Sequence, residues 1–104
     1  MSNPFHFEQD LVALVAEIPE DSIVSRTFYK GDQNAIVFGF AAGQELSEHT
    51  AARPAILHVL RGKGRVTLGD ASFAVETGSW AHMDAHLPHS VVAETELVML
   101  LLLV

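Results

Sequence analysis

The sequence predicts a single all-β domain, a sandwich or barrel of short strands. Three observations carry that prediction. Apolar runs rich in Val, Ile, Leu and Phe recur along the chain, and a glycine or a polar turn separates each from the next. No repeat, linker or low-complexity segment interrupts the pattern. At 104 residues, the chain is long enough to bury one core and too short for two.

The elements follow in order. Within 1–20 the segment Phe7–Pro19 carries Leu11, Leu14, Val15 and Ile18 at helical spacing and ends at a proline, which predicts a short N-terminal helix or helical turn. Ile23–Tyr29 alternates apolar and polar residues as a half-buried strand does, and a Lys-Gly-Asp-Gln-Asn turn leads to Ala35–Ala41. Gly43 opens a loop. Ala55–Leu60 is short, partly β-branched and bracketed by turn residues, so it reads as a buried strand. Gly62-Lys63-Gly64 is expected to be a hairpin turn into Arg65–Leu68, and Gly69-Asp70 turns into Ser72–Glu76. Gly78 precedes Trp80–Met83, a loop through Pro88 precedes Ser90–Ala93, and Leu97–Val104 is a terminal strand expected to be buried on both faces.

Composition limits the function. Hydrophobic residues make up 49% and charged residues 18%, a balance that folds rather than stays disordered. Thirteen acidic against six basic residues leave a net charge of −7, which disfavours nucleic acid and anionic membrane as partners. There is no cysteine, hence no disulfide and no thiolate chemistry. The start, MSNPFHFEQD, lacks the pattern of a signal peptide, and the apolar run Leu97–Val104 is far short of the roughly 20 residues of a membrane-spanning helix. A soluble, cytoplasmic protein is expected.

Five of the six histidines, His49, His58, His82, His86 and His89, fall between positions 49 and 89. Neutral imidazole is the commonest ligand for zinc, iron, copper and nickel, so a cluster on adjacent strands is a candidate metal site. The plain alternative is a set of surface or half-buried rings, which suits His6 and His86 best. Other chemistry is poorly supported. Ser47-Glu48-His49 lies in no nucleophile elbow, Gly62-Lys63-Gly64 lacks the residues of a phosphate loop, and basic residues are few and scattered.

Two glycine-to-histidine stretches, 43–62 and 78–93, bear on the choice. Gly43 is followed by five residues and His49, then Ala51 two positions on, then Ala55, with Gly62 seven beyond that. Gly78 is followed by five residues, then Asp84, His86, His89 and, four further on, Ala93. These spacings resemble the paired motifs of the cupin superfamily, and the chain is similar to short, stand-alone bacterial cupin-2 proteins. The resemblance implies a jelly-roll barrel of the RmlC-like type over the single domain 1–104.

In metal-binding cupins the first motif supplies two histidines and a glutamate, and the second supplies one histidine. The resemblance therefore assigns His49 and His89 as ligands and puts Ala51 and Ala55 where the others would be. Three further residues are candidates to complete a site. His58 and His82 lie on strands expected to pair. If Ala55 faces the interior, His58 faces out, unless a β-bulge between them reverses the alternation. Glu45, on the loop before His49, is an oxygen donor or a solvated carboxylate.

Two readings stand. One is a metal-dependent small-molecule enzyme holding a divalent transition metal (Zn, Ni, Mn, Fe or Cu) through His49, His89 and a third ligand from His58, His82 or Glu45, within a superfamily of dioxygenases, isomerases and decarboxylases among which the resemblance does not choose. The other is a metal-free module binding a small organic ligand in an apolar pocket. The histidine surplus favours the first, Ala51 and Ala55 the second. Both require the rings of His49 and His89 to meet inside the barrel. A homodimer is expected, with Ile23–Tyr29 and Leu97–Val104 as interface strands, because exposed sheet edges need cover.

Overall fold

Nine strands are present in the computed structural model, which describes residues 4–104: β1 (Ile23–Lys30), β2 (Asn34–Phe40), β3 (Glu45–His49), β4 (Ala55–Arg61), β5 (Lys63–Leu68), β6 (Ala71–Glu76), β7 (Trp80–Met83), β8 (His89–Ala93) and β9 (Leu97–Leu103). They form two sheets, ordered β1-β2-β9-β4-β7 and β3-β8-β5-β6, and every neighbouring pair is antiparallel. The sheets face each other as a jelly roll, the architecture expected from the strand pattern.

Alternation decides what lies between the sheets. On β4, Ala55, Leu57 and Val59 are buried while Ile56, His58 and Leu60 are only partly so. The buried set packs with Phe40, Val66, Met83, Val91, Ala93, Leu97 and Met99 in one core. Phe40, at 0% exposure, is the largest fully buried side chain of that core.

β9 lies in the centre of its sheet and is apolar on both faces. Leu97 and Met99 enter the core, while Val98 joins Val15 and Val37 in a second cluster on the outer face. Residues Val12, Leu14 and Ile18 of the N-terminal segment cover that cluster. Gly39 makes the contact close, because a Cβ there would stand 2.7 Å from Ile18 Cδ1.

Three expectations are corrected. The segment Phe7–Pro19 is mostly irregular, with a single 3₁₀ turn at Val12–Val15. Its N-cap residue, Leu11, makes no capping bond, two of the four turn residues are branched valines, and packing onto Gly39 asks only for an apolar face. Gly62 is no hairpin turn, because β4 and β5 belong to different sheets and the chain crosses between them at this one residue. Glu45–His49 is a strand rather than loop. With Leu46 its one apolar residue it carries no periodic signal, and it exists because β8 supplies backbone partners. No helix among the described residues is long and apolar enough to cross a membrane.

Candidate functional site

The site begins with an irregularity in β3. Glu45 pairs with Val92 and Leu46 with Val91, yet three residues later His49 pairs with His89. One extra residue has entered β3. In unbroken register Glu48 would oppose His89 and His49 would point outward with Glu45. The bulge shifts the alternation by one and turns His49 onto the inner face beside His89. That face is the core side, since Val91 and Ala93, two and four residues after His89, are buried in it.

The two rings meet as required, with centroids 4.1 Å apart and planes tilted by 60°. Each is held in the same way. His49 Nδ1 lies 2.8 Å from the Ser47 carbonyl oxygen, and His89 Nδ1 lies 2.8 Å from that of Leu87. A carbonyl oxygen only accepts, so each Nδ1 carries the hydrogen and donates it. In the neutral ring this leaves each Nε2 as the acceptor.

His49 is exposed and His89 is buried, with 6% exposure, which places the pair at the open end of the barrel. No buried side-chain nitrogen or oxygen among the described residues lacks a partner. Since Nδ1 makes the hydrogen bond of the His89 ring, Nε2 is the nitrogen through which that ring meets the opening.

Two loops frame this end. The His86 N–H donates to the Ala51 carbonyl at 2.7 Å, tying the β7–β8 loop to the β3–β4 loop. Gly69 N–H donates to the Pro88 carbonyl at 2.8 Å, tying the same loop to the β5–β6 turn. His86 has φ +67, in the left-handed region, at the position where the cupin motif has a glycine. Its side chain is exposed.

The other candidates are elsewhere. His58 pairs with Trp80, and Ile56 with His82, on the face opposite Leu57 and Ala55. Both histidines therefore lie on the outer face of the sheet. The bulge that would have brought His58 inward is absent between Ala55 and Val59, where the register with β9 is regular. His82 Nδ1 has Asp84 as its neighbour at 3.9 Å, not the histidine pair. Glu45 is exposed and on the outer face with Val92. Ala55, at 2% exposure, does face inward. Among the described residues no group of three or more His, Cys, Asp or Glu side chains is placed to hold a metal ion.

A family model described as a cupin domain, Cupin_2, matches residues 36–104. The chain belongs to the cupin family. Among solved structures, a cupin superfamily protein from Desulfitobacterium hafniense DCB-2 superposes with a TM-score of 0.86 at 22% identity, over 97% of this chain and 93% of that one. A conserved protein of unknown function from Streptococcus pyogenes gives 0.82 at 28% identity, over 100% and 90%. A cupin 2 conserved barrel domain protein from Leptotrichia buccalis gives 0.80 at 36% identity, over 88% of this chain and 45% of that one. Comparison with curated proteins returns no match. This cupin has histidine at 49 and 89 and alanine at 51 and 55, the positions that the motif spacing singles out.

Proposed function

We propose that this cupin binds a small organic molecule at the open end of its barrel, with His49 and His89 as paired hydrogen-bond acceptors and no resident metal ion. The observation that carries the reading is the state of the two rings. Each Nδ1–H is committed to a carbonyl, so in the neutral rings, 4.1 Å apart, Nε2 is the nitrogen left to accept from a ligand. Two neighbouring acceptors, one on a buried ring, are suited to a ligand bringing two hydrogen-bond donors on an apolar frame.

The donor set argues against a resident ion. Protein metal sites of this kind use three or four protein ligands, and here the described residues bring two together. The test uses untagged protein and 1,2-cyclohexanediol, a neutral probe with two adjacent hydroxyl donors. Both Nε2 nitrogen resonances are expected to shift saturably, and His49→Ala is expected to weaken binding by about three- to tenfold, the loss of one hydrogen bond. Purified protein is expected to carry well under one metal ion per chain. One ion per chain, lost in both His49→Ala and His89→Ala, overturns the reading.

One observation favours a second reading. Ligating histidines characteristically donate their other N–H to a carbonyl, as both rings do here. A divalent zinc, nickel, manganese, iron or copper ion held by this pair would take its other ligands from the bound molecule. Thermal stabilisation by such a salt only when a chelating ligand is also present distinguishes this case from the first.

We also propose a homodimer. Its edge is β1, which among the described residues has β2 on one side and no strand on the other. β9 is hydrogen-bonded on both sides, so it contributes no free edge. Calibrated size exclusion is expected to give twice the chain mass of 11.3 kDa, and elution at the single-chain mass contradicts the proposal.

A further inference from the structure

The two sheets come apart at one side. β6 is the edge of the four-stranded sheet and β7 the edge of the five-stranded one, and no ladder joins them. Into the gap β7 sends the small side chain of Ala81, which shares the inner face with Leu57. Phe73, on the inner face of β6 with Val66, has nothing large opposite it and stays 52% exposed. The result is a cavity of about 590 Å³, floored by Leu57, Val66 and Leu68, with Phe73 and Trp80 at its mouth. That volume falls within the range of small-molecule pockets.

Neither His49 nor His89 lines this cavity. Leu68, which pairs with His89 across β5 and β8, is the wall between the two. We infer that the β6–β7 cleft is a second ligand site, distinct from the histidine pair, for a neutral, flat, largely apolar molecule such as a fused aromatic ring system.

The lining sets the ligand class. It contains no Lys, Arg, Asp or Glu, and its two polar members are Ser79 and His82. Ser79 Oγ accepts from Glu76 N–H at 2.9 Å and keeps its O–H for a neutral acceptor. An ionised ligand would enter without a counter-charge, which disfavours it. The protein's net charge of −7 adds a further penalty for anions. Phe73 presents an exposed ring on the inner face of the cleft, while Trp80, 61% exposed and paired with the outward-facing His58, borders it at the β7 edge. A planar ring laid on Phe73 recovers stacking as well as burial.

Trp80 is the single tryptophan of the chain and borders the cleft, so its indole N–H resonance is an unambiguous reporter beside it. The full chain is titrated with 1-naphthol, and affinity is measured in parallel by equilibrium dialysis. The expected result is a saturable shift of the Trp80 resonance with one naphthol per chain, and binding of the 1-naphthoate anion weaker by about tenfold or more. Phe73→Ser, at an exposed position, is expected to weaken naphthol binding by about three- to tenfold through lost stacking. Ala81→Leu, which fills the void, is expected to abolish it, and His49→Ala to leave it unchanged.

An unmoved Trp80 resonance overturns the inference, as does equal binding of the anion or unchanged affinity in Phe73→Ser. Loss of binding in His49→Ala would show that the two sites are one. A Trp80 resonance that shifts with protein concentration before any probe is added would show a second copy of the chain on this mouth, which also overturns it. Where Ala81→Leu does not fold, Phe73→Ser decides the matter.

Discussion

The double substitution Ala51→His and Ala55→Glu is expected to turn this barrel into a stoichiometric metal site. The prediction follows from the arrangement of the existing pair. His49 and His89 already have their Nδ1 hydrogens engaged at 2.8 Å, which in the neutral rings leaves Nε2 as the acceptor, the state a ligand needs. Ala55 faces the interior at 2% exposure, and Ala51 lies on the loop that His86 N–H ties down at 2.7 Å. These are the two positions at which metal-binding cupins have the remaining ligands.

The metal-free variant is expected to be less stable than the parent. A glutamate at position 55 places a carboxylate in an apolar interior with no cation nearby, a change of several kcal/mol for an unpaired buried charge. Added zinc or nickel should reverse that loss, since an ion at about a thousand times its dissociation constant stabilises by roughly 4 kcal/mol. The measurement is melting temperature with and without metal, alongside metal content after gel filtration. His49→Ala in the doubly substituted background is expected to abolish uptake. A folded double variant that takes up no ion would mean that the two imidazoles cannot serve one centre, and it would remove the argument from their proximity.

How far this site was legible in the sequence depends on the residue. The inward face of β4 was legible, because Ala55, Leu57 and Val59 alternate with residues of mixed character, and the same alternation puts His58 outside. The meeting of His49 with His89 was legible only through the motif spacing. Counting strand periodicity alone could not find it, since one inserted residue in β3 reverses which side chains face in, and a bulge leaves no reliable mark in Glu45–His49. The β6–β7 cavity left even less trace. It arises from the absence of a hydrogen-bonded ladder between two edge strands and from a small residue at 81, both properties of the assembled sheets. The N-terminal segment shows the opposite failure. Leu11, Leu14, Val15 and Ile18 keep a helical spacing that marks a one-sided apolar segment, and that segment covers the outer cluster without forming a helix beyond one short turn.

Gly62→Ala is expected to be among the most damaging single-atom-group changes available in this chain. Gly62 has φ +98 and sits at the corner where the backbone leaves β4 in one sheet and enters β5 in the other. A Cβ there would come within 2.1 Å of the Glu96 carbonyl oxygen, a backbone atom that cannot swing away. The corner is fastened on both sides. Glu94 and Thr95 N–H groups donate to the Lys63 carbonyl at 3.0 and 3.2 Å, and Lys63 N–H donates to Thr95 Oγ1 at 3.0 Å. Arg61 reaches Glu96 at 2.8 Å.

Relief of the clash therefore separates the β4–β5 corner from the β8–β9 connection and breaks several bonds together. Gly78 provides the control, because it has nearly the same φ, +97, and nothing within 4 Å of its added Cβ. Alanine at 78 carries only the backbone strain, about 1–2 kcal/mol. Alanine at 62 carries that strain plus the clash, and a total of about 4 kcal/mol or more is expected. For a domain of this size the difference corresponds to a melting temperature lower by roughly 10 °C or more in Gly62→Ala than in Gly78→Ala. Urea unfolding of the two variants side by side measures it. Equal losses would show that backbone conformation alone governs both positions, and that the contact between the two sheet corners adds nothing.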